Sequence, residues 1–177
     1  MYQSDSEAGV LEALLRAVRS DGWEVVGAVN WKDIRKLRVN APGEGDRRNV
    51  LAAGLKAVEA GADVLAFTRD RDRDETREED IERAIEEAAG ESLDVIGGVA
   101  IETIEGWLIA VSGESKSESV RHPEEQMARL GLEAKRAPSY VQHVETHGLA
   151  KIPADAASLR RWLERAGRVL RTSPPPP

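Results

Sequence analysis

Asp63-Val64-Leu65-Ala66-Phe67-Thr68-Arg69-Asp70-Arg71-Asp72-Arg73-Asp74-Glu75 is the stretch that decides the fold. Its first half is a short, continuous apolar run, and a strand without polar alternation suits a parallel sheet covered on both faces. Its second half turns to alternating charge, where such a strand would leave the sheet. Residues 47 to 60 before it carry Val50, Leu51, Leu55 and Val58 at helical spacing, with Gly61 as a C-terminal stop. After it come a charged helix over 75 to 89, a strand over Leu93 to Ile101, and a helix near 103 to 111. Strands alternating with helices imply right-handed βαβ units, so the fold class is α/β, with a mostly parallel sheet of about four strands flanked by helices.

Toward the amino end, Trp23-Glu24-Val25-Val26-Gly27-Ala28-Val29 follows the turn signal Asp21-Gly22 and reads as a strand. Residues 6 to 19 place Val10, Leu11, Leu14, Leu15 and Val18 on one helical face, with Ser4 or Asp5 available as N-cap. A polar loop fills 31 to 46. Toward the carboxyl end the pattern changes after Gly113: a Ser, Glu and Lys stretch, two short helical segments near 123 to 131 and 138 to 147, and an amphipathic helix from Ala154 to Arg171. The expected organisation is an α/β core over 1–112, a helical C-terminal extension over 113–173 packed on it, and a proline tail over 174–177. The tail reads as a frayed terminus, the alternative being a short polyproline II segment for a partner.

The chain has 177 residues and no cysteine, which removes disulfides, thiolate metal sites and cysteine nucleophiles from consideration. With 41% hydrophobic and 32% charged residues the composition is that of a globular domain. No apolar run reaches the roughly 18 to 20 residues of a membrane span and the first residues lack signal-peptide character, so the expected address is the cytoplasm. The net charge of -7 does not resemble the basic surface of an autonomous nucleic-acid binder, so cations or a partner must assist any encounter with a polyanion.

Ligands of open α/β sheets bind beyond the carboxyl ends of the strands, which singles out Thr68 to Glu75. If this segment stays extended, Asp70, Asp72 and Asp74 point to one side and Arg69, Arg71 and Arg73 to the other. Converging carboxylates suit Mg²⁺ or Mn²⁺, hard cations that use one or two such ligands with waters and a phosphate. The alternative is a solvated, self-neutralising charge run entering a helix whose N-terminus favours acids. Glu105 lies just past another strand, and Glu7 in the first turn of the first helix; either is as readily a partner of the helix dipole as a ligand.

Asp63 to Asp74, the charged helix, the Gly97-Gly98 strand and Ile104-Glu105-Gly106-Trp107-Leu108-Ile109-Ala110 together resemble the Toprim-like proteins. The nearest likeness is to small standalone bacterial members akin to the nuclease half of the overcoming-lysogenization-defect (OLD) enzymes. In that superfamily an acid ends the first strand, an Asp-x-Asp pair ends a later one, and together they hold Mg²⁺ for phosphodiester cleavage or transfer. Asp70 and Asp72 match the pair, and the resemblance gives Glu105 a supporting role. Aligning the first helices puts Gln3 where the family has its strand-terminal Glu, and Glu7 at a second acid four residues on. Gln3 cannot act as a carboxylate base. Only Met1 and Tyr2 precede it, against ~5 residues in an ordinary strand, so the first strand is expected to be stunted or the chain to begin late.

The resemblance thus implies a Mg²⁺- or Mn²⁺-dependent nuclease or phosphodiesterase acting on DNA or RNA, with Asp70, Asp72 and Glu7 holding metal. The acidic balance fits a defence or toxin effector aided by a protein partner or a second copy of the chain. The rival reading, favoured by Gln3, is a catalytically degenerate Toprim-like module that binds a protein or nucleotide. A phosphotransfer receiver ranks last, since no matched Thr and Lys stand at later strands. The loop from Trp31 to Arg48 is the one locally basic stretch, and Lys32, Arg35, Lys36, Arg47 and Arg48 are its candidate backbone contacts, with Trp31 a candidate stacking surface. An ordinary solvated loop is the alternative. His143 and His147 share a helix face but lack a third ligand for zinc. Lys116, Lys135 and Lys151 are candidate cations near a leaving group, with nothing to select among them.

Overall fold

A computed structural model describes residues 1–5, 9–37, 39–133 and 136–172. Within the first 70 residues these form β1 (Tyr2–Asp5), α1 (Val10–Val18), β2 (Gly27–Asn30), α2 (Trp31–Ile34), α3 (Gly45–Glu59), β3 (Val64–Phe67) and β4 (Arg69–Asp70). Then come α4 (Arg77–Ala88), β5 (Asp94–Ile96), β6 (Val99–Ala100), α5 (Ile104–Val111), α6 (Pro123–Arg129), α7 (Ala137–His147) and α8 (Ala157–Thr172). The chain is α/β. Its strands pair in parallel throughout: a four-stranded sheet in the order β2-β1-β3-β5, and a two-stranded sheet of β4 and β6.

The two-stranded sheet continues the β3–β5 pair past a break. β3 and β4 are separated only by Thr68, β5 and β6 only by Gly97 and Gly98, and the Arg69 N–H donates to Gly98 O across the break at 3.1 Å. The glycines are required by what crowds them. A Cβ on Gly97 would collide with the Phe67 ring, and one on Gly98 would sit 3.2 Å from Trp162. Trp162 uses the break: its Nε1–H donates to Phe67 O at 3.0 Å, satisfying a strand carbonyl, and Arg165 donates to Gly97 O.

Both faces of the sheet are covered, as a continuous apolar strand demands. Leu65, Phe67, Val95 and Val99 pack with α2, α3 and α4 on one face; Val64, Ala66, Ile96 and Ala100 pack with α1, α5, α7 and α8 on the other. Alternation survives the break, so consecutive residues point to opposite faces through position 70. The segment after 113 therefore packs on the same core as the first helix, through Leu159, Trp162, Ala166 and Leu170. Glu118 is buried and fastens this layer. It accepts hydrogen bonds from Ser158 N, Ser158 Oγ and Leu159 N at 2.6–3.1 Å, capping α8 from a distant turn.

Three expectations are corrected. The strand expected over 23–29 is formed only over 27–30, where its pairing with β1 runs from Gly27 opposite Tyr2 to Asn30 opposite Asp5; Val26 N reaches Met1 O. The first helix starts at Val10 behind Gly9 (φ 94), and Ser4 and Asp5 lie in β1 rather than capping it. The polar loop at 31 begins with α2, capped by the Asn30 side chain on Lys32 N at 3.1 Å. The first strand, β1, has four residues and is central, flanked by β2 and β3.

Candidate functional site

Asp70 and Arg69 end the broken strand, and strand parity divides them. Arg69 turns to the α3 face, where its Nε lies 3.6 Å from Asp46, and Asp70 turns to the α5 face, where its Oδ1 accepts the Ile104 N–H at 2.9 Å. Beyond Asp70 the extended backbone fails. Asp72 and Arg73 adopt left-handed conformations with φ of 50° and 62°, so the expected three-carboxylate row does not form. The cause is Arg77 at the start of α4. Its Nη1 donates to Asp70 O and Arg71 O, both at 2.7 Å, and to Asp72 Oδ2 at 3.0 Å, while its Nε holds Asp46 at 2.7 Å. One guanidinium thus gathers the whole turn.

The consequence for the candidate ligands is a sorting. Asp72 belongs to Arg77 and to Arg69, 3.3 Å away. Asp74 accepts from the Thr76 N–H and hydroxyl at 3.1 and 2.9 Å, which holds its carboxyl below the usual range. Asp74 also lies 3.8 Å from Arg77, so of the three Asp70 alone makes no ion pair among the described residues. Burial pushes its carboxyl up to about 6, with Glu105 and Asp72 adding repulsion against the relief from the Ile104 N–H and Arg69. Glu105, in the first turn of α5, is the acid beside it, and Tyr140, fully buried on α7, donates its hydroxyl to Glu105 Oε1 at 3.3 Å. Glu7 lies outside the described residues, and the side chain of Gln3 is likewise not described. Among the described residues no three His, Asp or Glu side chains are grouped as a metal cage. Among the described residues Asp70 and Glu105 are the two acids brought together at the strand end, with Glu124 and Glu125 of α6 on the wall of the same cleft.

A cleft of about 570 Å³ opens on this pair, lined by Asp70, Thr103, Glu105, Arg121 and His122 with the first turn of α6. Arg121 was missed in the sequence, where it sits in an uninformative polar stretch; only the fold returns it to the strand ends. Lys116 and Lys151 do not line the cleft, and Lys135 lies outside the described residues. His143 is turned inward, its Nε2 3.0 Å from Ser112 Oγ and 3.1 Å from Leu108 O, a packing role.

On the other face of the strand end, a second cleft of about 700 Å³ is lined by Asn30, Lys32, Arg35, Asp46, Arg48, Asn49 and Arg69. Three of the five basic candidates therefore converge. The other two do not: Lys36 pairs with Asp33 at 2.5 Å, and Arg47 forks onto Glu87 at 2.7–3.1 Å. Trp31 is no stacking surface, being 8% exposed and packed on Phe67 with ring centroids 5.6 Å apart. Arg69 lies over the Trp31 ring at 5.9 Å.

No protein-family model, curated protein or solved structure matches the chain. Among the described residues no helix is long and apolar enough to cross a membrane.

Proposed function

We propose that the cleft at Asp70 and Glu105 is the active centre of a divalent-metal-dependent phosphodiesterase of Toprim type, acting on nucleic acid. The observation that carries this reading is Asp70 itself: a half-buried carboxyl raised to about 6, past the end of a parallel strand, with a second acid beside it and no cationic hydrogen-bond donor. Such an arrangement is unfavourable for the empty protein and is relieved by a cation. The donors fit Mg²⁺ or Mn²⁺, whose shells need only one or two carboxylates, the rest being water and substrate oxygen. Asp70 and Glu105 would hold the ion, which supplies polarisation of the scissile phosphate and an activated water. The Ile104 N–H fixes the orientation of Asp70, Tyr140 that of Glu105, and Arg121 supplies positive charge on the cleft wall for the phosphate.

The second reading, a degenerate binding module, is favoured by Asp72, whose carboxylate is held by Arg77 and Arg69, together with Gln3 at the position of the expected acid. Incubating supercoiled plasmid and single-stranded RNA with the protein in Mn²⁺ or Mg²⁺ decides between them. Cleavage that disappears in Asp70→Asn and Glu105→Gln is the expected result; no cleavage, or equal cleavage by the variants, turns the assignment to the binding module.

A further inference from the structure

We infer that the second cleft, between α2 and the start of α3, is a phosphate-binding subsite. Several independent features converge there. α3 is a 15-residue helix whose N-cap, Glu44, makes no side-chain capping bond, so the first turn offers its N–H groups and the positive end of its dipole. Gly45, the first residue of α3, lines the cleft. Arg35 and Arg48 line it too and take part in no ion pair among the described residues, and Lys32 stands beside them. The acid in the cleft, Asp46, is already claimed by Arg77 at 2.7 Å.

Asn49 points to a ligand most directly. It is 8% exposed, it lines the cleft, and no protein group among the described residues hydrogen-bonds its side-chain amide. The residue is buried, yet its unpartnered amide is open to solvent on the cleft wall, a neutral donor available to an anion at this helix start. Phosphate is the anion this set fits, since helix N–H groups, an amide NH₂ and guanidinium forks all present donors to its oxygens.

The inference deepens the phosphodiester reading by naming how the substrate is held. Arg69 and Asp70 are consecutive and face opposite sides of one strand end, so a phosphate held in this cleft lies across the strand from the carboxylate pair. The phosphate can belong to a free nucleotide or to a nucleic-acid backbone.

Binding measured in EDTA separates this inference from the metal reading. Titration calorimetry in low salt with inorganic phosphate, adenosine 5′-monophosphate and a short oligothymidylate should show saturable binding of at least one of them. Binding of inorganic phosphate and adenosine 5′-monophosphate but not of the 5′-hydroxyl oligothymidylate identifies a terminal-phosphate site, binding of the oligonucleotide alone a backbone site, and similar affinity for all three a site that takes phosphate in either form. Arg48→Ala and Asn49→Ala are each expected to weaken it about tenfold, Arg35→Ala to weaken it less, and Arg83→Ala, on α4, and Asp70→Asn not to weaken it. Arg35 is exposed and its truncation leaves the fold intact, so it keeps the test valid if Asn49→Ala unfolds. Absence of binding by all three probes, or affinity unchanged in folded Arg48→Ala and Arg35→Ala, overturns the inference whether or not the protein cleaves nucleic acid.

Discussion

Asp70 holds its proton more tightly in the folded protein than an ordinary carboxyl does, about 6 against 3.8, and burial is the first cause. A raised folded-state value stabilises the protein fully below the unfolded value, and that contribution is lost as pH rises from about 4 through about 6. At pH 7.5 without metal the ionised carboxylate therefore costs roughly 1–3 kcal/mol. Asp70→Asn keeps the acceptor for Ile104 N–H and removes the charge, so it should melt several degrees higher than the wild type at pH 7.5 and alike at pH 4. Thermal melting across that range checks this, and an equal gap at both pH values contradicts it. Asp72 behaves oppositely. Its exposed ion pairs are worth only about 0–1 kcal/mol, so Asp72→Asn should lower the melting temperature slightly or not at all. Arg77→Leu strands Asp46 and two turn carbonyls, and should cost about 2–4 kcal/mol in denaturant titration.

At the scale of elements, the apolar run Val64 to Phe67 was legible because its pattern is local, whereas of the expected helix face Val50 and Leu51 are buried and Leu55 and Val58 are exposed. The turn at Asp72 and Arg73 was not legible, because it is drawn by Arg77, whose reach back to Asp70 O and Arg71 O no alternation of charge encodes. Trp31 misled for a similar reason: a tryptophan in a basic stretch resembles a stacking platform until Phe67 is found beneath it. Asn49 gave no signal, being one polar residue in a helix until the fold brings α2 alongside. The glycine pair was legible as a strand but not as a break. Gly97→Ala tests that break, since the added methyl must displace the Phe67 ring; overpacking of this kind costs about 1–3 kcal/mol. Glu118→Ala, which uncaps α8 and leaves buried donors unmatched, should cost about 2–3 kcal/mol. Urea midpoints measure both, and wild-type stability in either variant would contradict the packing described.

Over the whole molecule, a net charge of -7 coexists with a cationic cleft because the surplus acids lie elsewhere, among them Glu78, Glu79 and Asp80 in the first turn of α4. The carboxyl edge of the sheet thus carries two unlike clefts on the two sides of one strand end, acids on the α5 side and cations on the α3 side. That division follows from strand parity at Arg69 and Asp70. Titration of Mn²⁺ by calorimetry into the wild type and Asp70→Asn, at pH 7.5 and at pH 5, tests the central claim most directly. The wild type should bind at pH 7.5 and more weakly at pH 5, where Asp70 is protonated, and the variant should not bind. Equal binding by both proteins, or none by either, would contradict the claim.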